Sequence, residues 1–398
     1  GGRPAGMTAA VTAVSALECF RVSLRLGLTS FGGPVAHLGY FEQLYVRQKN
    51  WLTAEEYASL VALCQALPGP ASSQVNFLIG LQRAGFAGAL LSFIGFTLPS
   101  ALLMLAAVQA MTFAAPPDAL LHGLKLAAAV IVAQAVWSMA PKLCPDGTRR
   151  ILAGIVFVVT LMFGGISTQL GVLVFGALGG MWLCRGAVLP QGMAAAVVTR
   201  RAALRCLLVF ALLLVALPFM TGGLQSGTPM ALADTFYRAG ALVFGGGHVV
   251  LPLLYETSGL GSGTFMTIYG AAQVLPGPLF AIAAGLGAAI LPQAPMTGGA
   301  LALGFIFLPG FLVAIAGFHY WQTLSALPRA AGALAGVNAA VVGLLASALI
   351  HPVLSSAFMS FYDLGFILTA FIILQKFKLP PLPVVLAAVC YAFVAGGM

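Results

Sequence analysis

Three stretches of this chain, Ala87–Phe113, Leu204–Met220 and Gly298–Phe318, stay apolar for the length a helix needs to cross ~30 Å of hydrocarbon, the middle one only just. That feature excludes most folds. In lipid every backbone N–H and C=O must find its partner within the segment or in a closed sheet, so a spanning chain is helix or barrel. Barrel strands alternate apolar and polar residues with period two, and these stretches do not. Only 7% of residues are charged, where a soluble domain carries about 25%, so little water-facing surface can be built. The expected fold class is an all-α polytopic membrane protein. Residues 1–7 are set aside, because GGRPAG ahead of Met7 resembles a cloning remnant.

The chain also repeats itself. SFGGP at 30–34 answers VFGGG at 243–247, and Arg25-x-Gly27 answers Arg238-x-Gly240, both at an offset of 213 residues. LPGP occurs at 67–70 and 275–278, Pro99 answers Pro309, and Gly123 answers Gly336. Five anchors in one order at nearly constant offset indicate a duplication, with repeats at 8–195 and 225–398 and a linker span within 196–224.

Lys and Arg accumulate on cytoplasmic loops. In the first repeat they fall at Arg47, Lys49, Arg83, Lys142, Arg149 and Arg150, and the loops near 114–119 and 164–168 have none. In the second the pattern flips: 251–263 and 351–361 are bare, and Arg329, Lys376 and Lys378 occupy the positions bare before. The expected architecture is therefore an inverted-topology internal repeat, the layout of many secondary transporters. Because Arg47, Lys49 and Arg83 share one side, 12–46 and 54–82 must each turn back inside the membrane. FGGP and LPGP sit in their middles, so both are expected to be re-entrant hairpins of broken helices. Full spans follow near 86–113, 119–140, 151–164 and 168–186, and in the second repeat near 297–318, 332–350, 361–375 and 381–396. The linker brings the count to about nine.

Pro lacks an N–H and Gly accepts positive φ, so such breaks stop a helix at depth. Irregular backbone there is tolerated where protein buries it or it lines a cavity. A helix restarting after a break presents free N–H groups and the positive end of its dipole, which suits an anion. The candidate binding residues are accordingly Gly32, Gly33, Gly245 and Gly246 in the FGG breaks, Pro68, Gly69, Pro70, Pro276, Gly277 and Pro278 in the PGP breaks, and Ser72, Ser73 and Asn76 just beyond the first PGP. Tight helix packing through glycine is the alternative reading of FGG. Arg21 and Arg25 share one helix face, and Arg238 is the repeat mate of Arg25. A central Arg costs at least ~2.5–3.5 kcal/mol to insert, so each needs a carboxylate such as Glu18, backbone carbonyls, snorkelling or an anionic substrate. Two Arg with helix ends suit a dianion. Glu42 and Glu256, at matching places past the breaks, and His37 and His248 are candidates for carrying a coupling proton. His122, His319 and His351 fall near span ends and are expected to be interfacial; Asp234 and Asp363 precede spans or hairpin arms.

Other classes find no support. The six cysteines stand singly, with no metal-ligand spacing, and no metal or cofactor is expected. There is no Walker A, HExxH or GxSxG motif. The net charge of +9 is topology signal; no basic run interleaved with aromatics suggests nucleic acid. FGALGG at 175–180 can pack within one chain or between the copies of a homodimer.

RLGLTSFGGPVAHLGYFEQLYV, then WLTAEEY and ALCQALPGP, followed by FYRAGALVFGGGHVVLPLLYE and QVLPGP, resemble the two signatures of the chromate ion transporter family in its long, two-domain form. The match covers essentially all of 12–398. It implies a secondary active transporter that exports chromate across the bacterial inner membrane, driven by the membrane potential or a proton gradient, and so confers chromate resistance. Sulfate, with the same shape and charge, is the alternative substrate, and an anion channel of the same architecture is the alternative mechanism. The resemblance marks Arg25, Phe31–Pro34, Pro68–Pro70, Arg238, Phe244–Gly246 and Pro276–Pro278. One departure is FGGG, which lacks the Pro of FGGP.

Overall fold

The computed structural model describes residues 14–31, 33–113, 117–184, 198–222, 227–244, 250–377 and 381–396. Of the expected site residues, Gly32, Gly245, Gly246 and His248 lie outside them. All regular structure among the described residues is helical.

The first half begins with α1 (Ala16–Thr29), capped by Ser15, whose hydroxyl accepts the Glu18 N–H at 3.1 Å. It stops at Ser30, where FGGP follows. After the break come α2 (Gly33–Phe41), a π-helical turn at Glu42–Gln48, and α3 (Ala54–Ala66). A reciprocal capping box of Thr53 and Glu56 fixes the start of α3, and LPGP ends it. Then α4 (Ala71–Phe113), α5 (Asp118–Leu143), α6 (Gly147–Phe163) and α7 (Gly165–Leu183) follow. Next is α8 (Arg200–Thr221), the linker helix. The second half restates this order: α9 (Pro229–Leu242), α10 (Val250–Ser258), α11 (Ser262–Ala272), α12 (Ile282–Ile290), α13 (Pro295–Ser325), α14 (Pro328–Ala348), a π-helical turn running into α15 (Ser355–Ala357), α16 (Phe361–Phe377) and α17 (Pro381–Gly396).

The element α4 is two helices. Ala84 (φ −140°) and Gly85 (φ +63°) leave helical geometry, and the chain doubles back. Gly80 lies against Gly88 and Ser92, and Asn76 bonds the Ser92 carbonyl at 3.0 Å. The turn expected at Arg83 is thus a two-residue reversal, and 86–113 is free to span alone. Among the described residues five helices are long and apolar enough to cross a membrane, within α4, α5, α8, α13 and α14, the last extended to Ala357. Short apolar helices, α7, α12 and α17 among them, complete the bundle.

The two halves are interlocked. Helix α14 packs on α6 and α7 of the first half, and α5 packs on α16 and α17 of the second. Glycines make the close approach possible: Gly176 and Gly180 of α7 meet Gly336 and Gly332 of α14, and a Cβ on Gly123 of α5 would lie 2.6 Å from Val389 Cα of α17. The FGALGG face therefore packs inside this chain.

Candidate functional site

Four chain breaks meet in two reciprocal crossings. The Gly69 N–H, in the first PGP, donates to the carbonyl of Val243, beside the second FGG, at 2.7 Å. The Gly277 N–H, in the second PGP, donates to the carbonyl of Ser30, beside the first FGG, at 2.8 Å. Each half thus supplies its FGG end to the PGP of the other. Both glycines hold φ values that a side chain resists, +120° at Gly69 and +98° at Gly277. A Cβ on Gly69 would lie 2.8 Å from Gly310 Cα, and one on Gly277 would lie 2.8 Å from Ser100 Oγ. Gly310 and Ser100 directly follow the matching prolines Pro309 and Pro99, so this contact is reciprocal as well.

The crossings differ in chemistry. At Gly69, the Gln74 amide Nε2 donates to the Pro68 and Gly310 carbonyls, both at 2.8 Å, and clasps the two halves. At Gly277 the surroundings are polar. The Ser30 and Thr97 hydroxyls, both ring nitrogens of His37 and the Gln273 amide nitrogen are buried without a hydrogen-bond partner. His37 is 1% exposed and its ring stands edge-on to Phe96, 5.5 Å between centroids.

A second polar region lies outside. Ser15, Glu18, Arg21, Arg25, Leu44 and Lys49 help line a cleft of about 440 Å³ along the exposed face of α1. Glu18 pairs with Lys49 at 2.9 Å, not with Arg21, so the cleft keeps a positive excess. Arg238 sits differently from its mate Arg25. It forms an ion pair with buried Asp234 one turn earlier, and Asp234 also accepts from Thr221 on α8. The position matching Asp234 in the first half is Arg21, so the repeat keeps one arginine and reverses the charge of the other.

A model of the chromate transporter family matches residues 17–182 and 230–393, which include all four breaks. The chain belongs to the chromate transporter family. The chromate transport protein of Cupriavidus metallidurans is 28% identical over 341 residues, 82% of this chain and 80% of that one. A probable chromate transport protein of Synechococcus elongatus is 28% identical over 82% of both chains. The chromate transport protein of Pseudomonas aeruginosa is 27% identical over 82% of this chain and 79% of its own. No solved structure matches this chain. As a member of this family the protein is a multi-pass membrane transporter and not an enzyme.

Within this family member the remaining expected residues are dispersed. Gly33 opens α2; Pro70 and Pro278 are buried at the crossings, with Pro68 and Pro276 half-buried beside them. Ser72 and Ser73 are buried in the first turn of α4, and the Ser73 hydroxyl is unpaired. Asn76 is already engaged: its Oδ1 accepts from Tyr45 at 2.5 Å and Ser23 at 3.3 Å, and its Nδ2 donates to the Ser92 carbonyl. Glu42 pairs with Arg47 at the surface, and Glu256 is exposed beside a small cavity that His351 also lines. Ser30, Thr97, Gln273 and the Asp234 partnership were not singled out by the sequence reading. Only the proximity of Ser30 and Gln273 to breaks could have suggested them.

Asn76 gives a direct test of structural weight. Asn76→Ala leaves the buried Tyr45 and Ser23 hydroxyls only their long contact with each other, 3.4 Å, and takes the amide donor from the Ser92 carbonyl, at about 1–3 kcal/mol for a group left unpaired. A drop of several degrees in melting temperature in detergent is expected, and an unchanged melting temperature would contradict it.

Proposed function

We propose that the protein exports chromate from the bacterial cytoplasm, with the dianion gathered in the Arg21–Arg25–Lys49 cleft and bound at the Ser30–Gly277 crossing. Its membrane is the inner one, as expected from its bacterial relatives. The observation that carries the substrate is the family match over both repeats. Support for the binding place comes from the unpaired side chains there: hydroxyl, amide and imidazole N–H groups are the donors a tetrahedral oxyanion needs. The cleft lies on α1, the helix that ends at Ser30, and contains Lys49, which the positive-inside pattern assigns to the cytoplasm.

The membrane potential favours this direction. Each negative charge leaving a cell that is negative inside gains about 2.3 kcal/mol per 100 mV, so a dianion gains roughly twice that. In this reading the repeats are inverted and alternate in exposing the crossing. Chromate resistance then follows from export.

The test uses purified protein in liposomes loaded with chromate or sulfate, with an imposed potential. Chromate efflux is expected from wild type. The Arg21→Ala/Arg25→Ala double variant, which changes two exposed side chains, is expected to fold and to lose at least tenfold in flux at low substrate. Wild-type flux in that variant would remove the cleft from the pathway. Sulfate efflux without chromate efflux would overturn the substrate.

A further inference from the structure

The interlock between halves contains a second ionisable site, remote in sequence from the breaks. His122, in the first turns of α5, bonds Asp363, in the first turn of α16, with 3.0 Å between Nε2 and Oδ1. Asp363 is 2% exposed. Its other oxygen accepts the Met359 and Ser360 N–H groups at 3.0 and 2.8 Å, and Tyr391 of α17 donates to Oδ1 at 3.1 Å. Three helices from the two halves are thus tied by one carboxylate.

This network fixes the histidine tautomer. An ionised carboxylate only accepts, and three other donors already point at Asp363. Nε2 of His122 must therefore carry its proton toward Asp363. Nδ1 is then the free basic position, and it is buried with no hydrogen-bond partner. We propose that His122 Nδ1 is the binding site of the proton coupled to transport. This rests on the transport reading above and names its coupling ion.

Protonation at Nδ1 converts a hydrogen bond between neutral imidazole and carboxylate into an ion pair. That pair holds α5 to α16 and α17 at the end of the bundle where 117–119 and 351–361 lie, segments free of Lys and Arg. Loss of the proton leaves Asp363 with an uncompensated charge and loosens the same seam. Proton occupancy therefore biases the packing between the two halves, the movement that alternating access requires.

Few other groups interfere. On α5 itself, Asp118 is exposed and Lys125 turns toward Gly263 of α11. Tyr391 is the titratable contact from α17, and α11 adds no charged residue. In the π-helical turn before α15, His351 bonds Ser355 at 2.9 Å and rests edge-on to Tyr255. Arg329 of α14 lies over Trp182, on α7.

The experiment is nitrogen-15 NMR of histidine-labelled protein in liposomes between pH 5.5 and 8, with His122→Gln for assignment. The glutamine keeps a donor toward Asp363 but does not titrate. Nε2 of His122 is expected to stay protonated throughout, and Nδ1 to gain a proton as pH falls. Nδ1 protonated while Nε2 is bare, or no change at Nδ1 across the range, overturns the proposal. In flux assays, His122→Gln is expected to flatten a one-proton pH dependence of chromate efflux; an unaltered pH profile also overturns it. If His122→Gln does not fold, Tyr391→Phe removes one donor from Asp363 and is expected to change the pH response of the Nδ1 signal, and an unchanged response counts against the site. Wild type that moves no chromate while Nδ1 titrates as expected overturns the transport reading and leaves the proton site standing.

Discussion

Gly277→Ala is expected to destabilise the protein severely and to abolish transport, and Gly69→Ala to do the same. Each glycine combines three demands. Its φ lies where an L side chain is strained, on the order of 1–3 kcal/mol. Its N–H donates across to the other half, to Ser30 or Val243. A Cβ added to it would lie within 2.8 Å of a neighbouring heavy atom. The two differ in how they can be repaired. At Gly277 the nearest obstacle is the Ser100 hydroxyl, so Ser100→Gly should return part of the lost stability to Gly277→Ala. At Gly69 the obstacles are the Gln74 amide, 2.7 Å from such a Cβ, and the Gly310 backbone at 2.8 Å, and no side-chain change can withdraw the second. Melting temperatures in detergent and chromate efflux together decide the matter. Alanine variants that melt within a degree or two of wild type would show that the crossings do not hold the halves together.

Asp234→Ala is the second large effect. It leaves Arg238, mostly buried, with no counter-charge; breaking a buried pair costs about 3–5 kcal/mol. Arg238→Ala should be as damaging, because Asp234 is the more deeply buried partner, at 4% exposure against 29%. Replacing both by apolar residues of similar volume, Asp234→Leu with Arg238→Met, should recover most of the stability, since such exchanges are often neutral. The double variant then separates two roles for Arg238. If it serves only as the partner of Asp234, the folded double variant keeps its chromate flux. If the anion also meets Arg238, flux falls while the melting temperature stays near wild type. A double variant as unstable as either single one would contradict the pairing argument.

What the sequence disclosed follows from what repeats and periodicity can encode. Apolar runs announced helices, and PGP and FGG announced where helices stop, because Pro and Gly act on their own backbone. A constant offset also shows which residues are equivalent. It does not show which residues are neighbours. Gly69 and Gly277 are mates by offset, yet each touches the other half's FGG end and not its mate. Asn76 looked like a free amide for an oxyanion, but Tyr45 and Ser92 occupy it, through contacts set by helix rotation. His122 looked interfacial because it stands near a span end, and Asp363 looked like an acid that merely precedes a span. They are separated by 241 positions, and only the packing of α5 on α16 makes them one buried unit.

The exchange of helices between the halves bears on how the molecule is made. Helices α6 and α7 are complete once residue 183 has been synthesised, but α14, the helix they pack against, ends at Ala348. At about 5–20 residues per second, the first half waits roughly ten to thirty seconds in the bilayer with its glycine faces unmatched. During that interval Gly176 and Gly180 of α7 face lipid or insertion machinery. Neither half has all of its packing partners in isolation, so the pairing of α14 with α6 and α7 comes late, after the ribosome has delivered most of the chain.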